Sequence, residues 1–435
     1  MPMFSQPAAL GGIVRFAIEI ALGVTQGGPL VAIWQPDPDG ALWDTKGEWS
    51  GLVPSWVDIT SRAQVASTQR GRDRWEQQFR VGQSIVRLDN QDGIFNPDSN
   101  RPPGAVALRP GRWLRVLGQR TDDGSPWVAL WTGQIDGMED KYTSGAHSID
   151  SIFTSLDFGA RFQIDNPPAL ETPIPPGQLT GTRVNDLLDL VNWPVDAIWR
   201  DIDAGEHTMA ETTLPQSRWS EMQVAATAEG GSLFLSADGV PTFRNRDWLV
   251  DKLAAGIPKF TIGGVASDVK IIGADTDWSQ QRVYGDVRMA RKGGTEIRRI
   301  SDDSISLYGP RTFSRNDLEC ETDSQVTALV ERFLARARFD RSRLESIDLV
   351  PVTPEGVTQL LNVDLGDLIR VTVQTDGDGA WAYTDDYFVQ RVVHNITDED
   401  WVTTLRIDAA TFDVPLLPAA YTEAFSDGFD SQDPS

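Results

Sequence analysis

Glycine and proline interrupt this sequence 38 and 26 times. Neither sits easily inside a regular element, so the chain must fold as short segments joined by many turns. Between those breaks the apolar period is mostly two. Across residues 12–23, Val14, Phe16, Ile18 and Ile20 point one way and Arg15, Ala17, Glu19 and Ala21 the other, which predicts a half-buried strand. Further strands are predicted at 56–60, 84–88, 113–117, 128–135 and 148–153. Asp89-Asn-Gln-Asp-Gly93 is turn chemistry, because Asn, Asp and Gly tolerate positive φ. Together these segments predict a barrel-type β-domain over 1–165.

Five prolines between Asn166 and Gly177 exclude helix and central strand, so 166–180 reads as a stiff linker or an extended arm lying on a neighbour. Over 181–250 the period becomes helical. Thr182 is expected to cap a helix carrying Val184, Leu187, Leu188 and Val191 on one face, and Pro194 lies beyond its end. A second helix is expected over 217–229, closed by Gly230-Gly231. Asp238-Gly239 between two apolar runs predicts a two-residue hairpin turn, which completes a small α+β domain.

Residues 251–315 read as a β-rich domain, with strand pattern over 260–307. In 316–417, Asp323 or Ser324 is expected to cap a helix with Val326, Leu329, Val330, Phe333, Leu334 and Ala337 in one stripe. Arg332, Arg336 and Arg338 lie off that stripe, and strands follow at 346–350, 368–373, 387–393 and 401–407. The acidic tail, 418–435, has four acidic residues and no basic one, and alone it is expected to be disordered. An echo links the two ends: Gly111-Arg-Trp-Leu-Arg-Val116 and Gly366-Asp-Leu-Ile-Arg-Val371 share Gly-x-x-(Leu/Ile)-Arg-Val, with Arg115 and Arg370 in the same place. A polar loop, a strand, an acidic turn and a further strand follow each copy. The expected fold class is therefore mainly β with an α+β insertion, multidomain, with two related small β-barrels flanking a helix-containing middle region.

The charge narrows the function. The 435 residues hold 63 Asp and Glu against 39 Lys and Arg, a net charge of −24. That balance opposes a broad grip on nucleic-acid phosphates or on an anionic membrane. No early segment is long and apolar enough to span a bilayer or to serve as a secretory signal, since Arg15 and Glu19 interrupt 10–24, so the chain is expected to be made in the cytoplasm. The lone cysteine, Cys320, excludes an internal disulfide, and Glu319 and Glu321 beside it argue against a reactive thiolate. His147, His207 and His394 are scattered, and His394, at a strand end, reads as structural. Asp376-Gly-Asp-Gly379 lacks the closing ligands of a calcium loop and reads as a turn. No nucleophile elbow or phosphate-binding loop is present, and no metal or cofactor is implied. Asp136, Glu139 and Asp140 could act as paired glycosidase acids, but acidic residues in a polar turn are ordinarily solvated.

Two features point to contact surfaces. Arg70-Gly-Arg72-Asp-Arg74 is a basic cluster in an acidic chain, either a solvated loop with ion pairs or a contact with an acidic neighbouring subunit. Trp34, Trp43 and Trp49 sit among Pro, Gly and Asp outside clear core periodicity, which suits burial in an interface or stacking on a sugar.

Trp56-Val-Asp-Ile-Thr60, Arg70-Gly-Arg72, Leu88-Asp-Asn-Gln-Asp-Gly-Ile-Phe-Asn-Pro97 and Pro110-Gly-Arg-Trp-Leu-Arg-Val116 resemble the opening of minor tail proteins of long-tailed phages. Ser304-Ile-Ser-Leu-Tyr-Gly-Pro-Arg311, Leu365-Gly-Asp-Leu-Ile-Arg-Val371 and Tyr387-Phe-Val-Gln-Arg-Val-Val-His394 resemble their closing barrel. The likeness is to the baseplate hub, or tail-associated protein, of the tail tip. It implies a structural virion protein and not an enzyme. It further implies a homotrimer whose two barrels per chain form a ring of six around the DNA exit channel.

The partners implied by the resemblance are the distal tail protein and tail tube above, and the tape measure protein, other minor tail proteins or a central fibre below. DNA would only pass through, so an acidic or neutral channel wall is expected. A distal tail ring component or a receptor-binding protein is the alternative within the virion, and a glycan- or wall-degrading enzyme is a weaker one. Related tail-tip proteins continue into peptidase, fibre or sugar-binding domains, and those tasks are expected to fall to other proteins. The excess of arginine over lysine, 33 to 6, hints at a high-GC genome such as that of an actinobacterial phage.

Overall fold

The computed structural model describes residues 13–24, 54–95, 110–142, 149–164, 170, 173–264, 267–276, 283–339, 344–374 and 382–410. The expectations for Trp34, Trp43, Trp49, His147, residues 376–379 and the tail from Pro418 fall outside them.

Seven strands come first: β1 (Val14–Val24), β2 (Pro54–Asp58), β3 (Ala63–Gly71), β4 (Arg80–Asp89), β5 (Trp113–Arg120), β6 (Val128–Tyr142) and β7 (Ile149–Leu156). The alternation in β1 buries Val14, Phe16, Ile18 and Ile20 and exposes Arg15, but Ala17 and Ala21 on the other face are buried as well, so the strand is covered on more than one side. Helix α1 (Phe158–Ile164) follows.

The middle of the chain supplies β8 (Gln178–Leu179), α2 (Thr180–Leu190), β9 (Asp201–Ile202), β10 (Thr208–Met209), α3 (Arg218–Glu229), β11 (Ser232–Leu235), β12 (Pro241–Arg244) and α4 (Trp248–Ala255). Ser217 caps α3, and Gly230 ends it in the left-handed region at φ 71°. The apolar face expected for α2 is buried, but the helix starts at Thr180, not at a Thr182 cap. Thr180 Oγ1 instead donates to the buried Glu229 carboxylate at 2.7 Å. The hairpin turn is longer than two residues: Gly239 N donates to Ser236 O with Gly239 at φ 81°, a type I turn followed by a left-handed glycine. The Pro-rich stretch lies on its own chain, through Leu170 N to Thr213 O, Ile174 N to Thr212 O and the β8–β10 pair.

The last third holds β13 (Phe260–Gly263), β14 (Val269–Thr276), β15 (Asp286–Arg291), β16 (Ile297–Ile300), α5 (Asp302–Tyr308), β17 (Thr312–Leu318) and α6 (Asp323–Ala337). It closes with β18 (Leu344–Pro351), α7 (Pro354–Leu361), β19 (Leu368–Gln374), β20 (Ala382–Thr397) and β21 (Trp401–Ala409). Residues 302–308 are helical, not strand. The alternating Ser304-Ile-Ser-Leu307 imitates a strand, but the Ser301 cap and the acids Asp302 and Asp303 in the first turn favour a helix. Thr322, not Asp323 or Ser324, caps α6, in a reciprocal capping box with Gln325.

Two separately closed barrels do not form among the described residues. Strands from both ends of the chain join one open thirteen-stranded sheet, in the order β14-β18-β21-β20-β3-β4-β7-β6-β5-β1-β2, with β19 on β20 and β13 on β19. The cause is β20, which is long enough to serve two neighbours along one edge. Residues 382–388 pair with β19, and residues 391–397 pair antiparallel with β3. The core runs through this joint, with Phe16 of β1 edge-to-face on Trp401 of β21 at 5.1 Å. Helices α1, α2, α3 and α6, with the small sheets β11-β12-β9 and β16-β15-β17, share a second core. The segment expected as one β-rich unit, 251–315, is thereby divided: β13 and β14 enter the large sheet, and β15–β17 form their own.

Candidate functional site

The two ends of the large sheet repeat one plan. In the N-terminal part the ladders run β3-β4-β7-β6-β5-β1, and in the C-terminal part β14-β18-β21-β20-β19-β13. Each is a three-strand meander flanked by the same kinds of neighbour. The last pair differs, since β1 is antiparallel to β5 and β13 is parallel to β19.

The likeness reaches single hydrogen bonds. Gly111 N donates to Ile135 O at 2.7 Å, and Gly366 N donates to Val389 O at 2.7 Å. Ile135 N returns a bond to Arg112 O at 2.8 Å, and Val389 N to Asp367 O at 3.0 Å. Both glycines have positive φ, 89° and 72°. Immediately after, β6 bulges between Ile135 and Gly137 and β20 between Val389 and Arg391. Arg115 and Arg370 also share a place but not a partner. Arg115 binds Glu19 of β1 and lies 4.1 Å from the Trp56 ring centroid, whereas Arg370 forks onto Asp386 of β20 at 2.7 and 2.9 Å.

The surroundings of the two glycines differ, and so should their mutants. A Cβ at Gly111 meets no heavy atom within 4 Å, whereas one at Gly366 overlaps the Trp248 ring. Gly111→Ala therefore costs about 1 kcal/mol, the positive-φ penalty alone, and Gly366→Ala costs about 3 kcal/mol. Urea midpoints of the two variants check this; equal losses would contradict it.

The basic cluster lies at the joint between the repeats. Arg70 is 4% exposed and pairs with Asp364 at 2.9 Å. Arg72 is 6% exposed; its Nε donates to Gln390 Oε1 at 2.7 Å and its N–H to Gln390 O at 2.9 Å, while its guanidinium covers Phe79. Burial first, then Arg336, push Arg72 down to about 9, which leaves it cationic at neutral pH. Arg70 and Arg72 are thus committed within the chain, and Arg74, beside Glu76, stays partly exposed. Between them Gly71, at φ 125°, lets the Gln390 backbone approach. Asp364 and Gln390 were not legible as partners, because they are more than 290 residues away in sequence. The one local clue was two arginines around a glycine next to a strand.

Among the described residues, the cysteine, the histidines and the acids singled out in the sequence are placed as follows. Cys320 is buried, and burial followed by Glu229 pushes its thiol up to about 12; the acids next to it in sequence are not the cause. His394 is buried and held near pH 3 by burial and by Arg70. Its Nδ1 faces Thr403 Oγ1 at 3.0 Å. His207 Nδ1 faces Ala228 O at 2.7 Å. Asp136 is the exposed bulge residue of β6, Glu139 is exposed further along it, and Asp140 accepts from Ser151 Oγ. No group of three His, Cys, Asp or Glu is placed to hold a metal among these residues. A cavity of about 170 Å³ between the loop after β3, α3 and α6 is lined by Arg72, Trp75, Phe79, Gln223, Arg332 and Phe333. Its arginines are engaged: Arg332 binds Asp247 at 2.7 Å, and Arg336 binds Asp408 at 2.6 Å while lying 4.4 Å from the Trp75 ring centroid.

No family model matches the chain, and no curated protein matches it in sequence. Its fold does have solved relatives. A tail protein from Neisseria meningitidis superposes with a TM-score of 0.55 at 13% identity, over 90% of this chain and 96% of that one. The 43 kDa tail protein of prophage MuSo2 from Shewanella oneidensis gives 0.52 at 12% identity, over 82% of this chain and 96% of that one. The chain has the fold of phage tail proteins.

Proposed function

We propose that this chain is a structural hub protein of a phage tail tip, acting as a homotrimer that adapts the sixfold tail tube or distal tail ring to a threefold tip around the DNA exit channel. The observation that carries the reading is the repeated strand plan, with its matching glycine turns and bulges, joined edge to edge by β3 and β20. A chain with two near-equivalent modules can offer six such positions from three copies. The likeness in fold to two tail proteins, one of them from a prophage, over 90% and 82% of this chain supports a tail role. The burial of Cys320 and His394 suits a structural part for both residues.

Contacts with a distal tail protein, the tape measure protein and a central fibre follow from that role, as does a place in the virion tail. Arg74, Trp34, Trp43 and Trp49 remain the proposed subunit-interface residues. The net charge of −24 suits a channel wall that does not hold passing DNA. Mass photometry of the purified chain over a concentration series tests the reading. Three copies per particle are expected. Six copies would favour a distal ring instead, and a chain that stays monomeric at its highest soluble concentration overturns the proposal.

A further inference from the structure

The repeat has a geometric consequence that rests on the trimer reading and goes beyond it. Inside the chain, the edge of β20 at residues 391–397 is filled by β3. The corresponding edge in the N-terminal module belongs to β6 after its bulge, residues 137–142. There β7 occupies one side, and the β5 ladder has already ended at the Trp113–Gln134 pair, so no ladder fills the other side among the described residues. The counterpart of β3 is β14, which is the terminal strand of the sheet and, among the described residues, pairs only with β18. Even its irregularity corresponds: β3 slips register between Ala63 and Val65 against β4, and β14 slips between Ile271 and Gly273 against β18. The chain therefore carries both halves of a second joint. They lie seven ladders apart in its own sheet, so a second copy must supply one of them.

We propose that β14 of one copy adds antiparallel to the open edge of β6 of the next, reproducing between chains the β3–β20 joint within each chain. The register follows from the internal joint. There Ser67 stands opposite Asn395, and their side chains hydrogen-bond at 2.7 Å. Matching ladder by ladder, Asn395 corresponds to Lys141 and Ser67 to Asp275. The second joint thus sets an exposed cation opposite an exposed anion where the first has a neutral pair. Both edges are heterologous, so repetition gives a ring if the rotation closes and a filament if it does not.

Lys141→Cys and Asp275→Cys, each made in the full chain, test this directly. Opposed residues of an antiparallel pair lie about 4.5–5.5 Å apart between Cα atoms, within disulfide reach, and Cys320 is buried. On oxidation, the mixture of the two variants is expected to give a covalent dimer that neither gives alone. Lys141→Glu is expected to weaken association about tenfold, and Asp275→Lys in the same chain is expected to restore it. Trimers without the mixed cross-link would sink this interface and leave the hub reading standing. Cross-linked filaments or hexamers would keep the interface and remove the trimer. Failure to associate at all would overturn both.

Discussion

Replacing Gly71 with valine is expected to cost about 4 kcal/mol or more and to split unfolding into two steps. Gly71 lies at φ 125°, where side-chain-bearing residues rarely go. Its Cβ would overlap the Gln390 carbonyl oxygen and stand 2.6 Å from Arg391 Cα, so backbone, and not a flexible side chain, would have to move. Moving it breaks the end of the β3–β20 ladder and displaces both neighbouring arginines. Arg70 then loses Asp364, and Arg72 loses Gln390, leaving buried guanidinium groups without their acceptors. Gly93→Ala is the control, since it also has positive φ, 66°, but an open surrounding. Calorimetry and hydrogen exchange should show one transition for the control and two for Gly71→Val. A single transition, shifted no further than the control's, would show that the joint does not couple the two modules.

Acid should destabilise the chain through His394. Burial, followed by the Arg70 charge, holds its imidazole near 3 instead of its ordinary 6.5. The folded state thus binds fewer protons than the unfolded state between those values, and stability falls as pH drops from 6.5 toward 3. By linkage the loss is about 4 kcal/mol over that window. Asp157 works the other way. Burial raises its carboxyl to about 7 although Gly82 and Gly159 donate backbone N–H groups to it, so its contribution is lost as pH rises from about 4 to 7. The difference between wild type and His394→Gln isolates the histidine. Urea midpoints measured from pH 7 down to pH 4 should fall more steeply for the wild type; identical slopes would remove His394 as the acid-sensitive group.

The parts of the fold that were legible are those set by local chemistry. The apolar face of β1, the stripe of α6, and the helical run of α3 with its Gly230 stop each follow from residues within a few positions. Helix α7 is equally legible in its local residues: Thr353 caps it and Pro354 stands in its first turn, the usual N-terminal signature. Helix α5 departs from the expected strand, an expectation set by four of its residues that happen to alternate. The site was less legible, since its contacts are long-range. Gly111 and Gly366 were visible as an echo, but nothing local says that Arg70 reaches Asp364 or that β20 turns from β19 to β3. Glu229 is hidden in the sequence for the same reason: at 0% exposure it accepts from Thr180, Glu206 and His207, and none of these is its neighbour in sequence.

The length of β20 has one more consequence. Because β20 and β3 belong to one polypeptide, the ladder that joins the modules closes within the chain and its partners cannot drift apart, while any junction with another molecule is held by docking alone. A closed assembly of such chains would alternate the two kinds. It could part only at the docked ones, so that whatever forces the aperture wider would move the modules as inseparable couples.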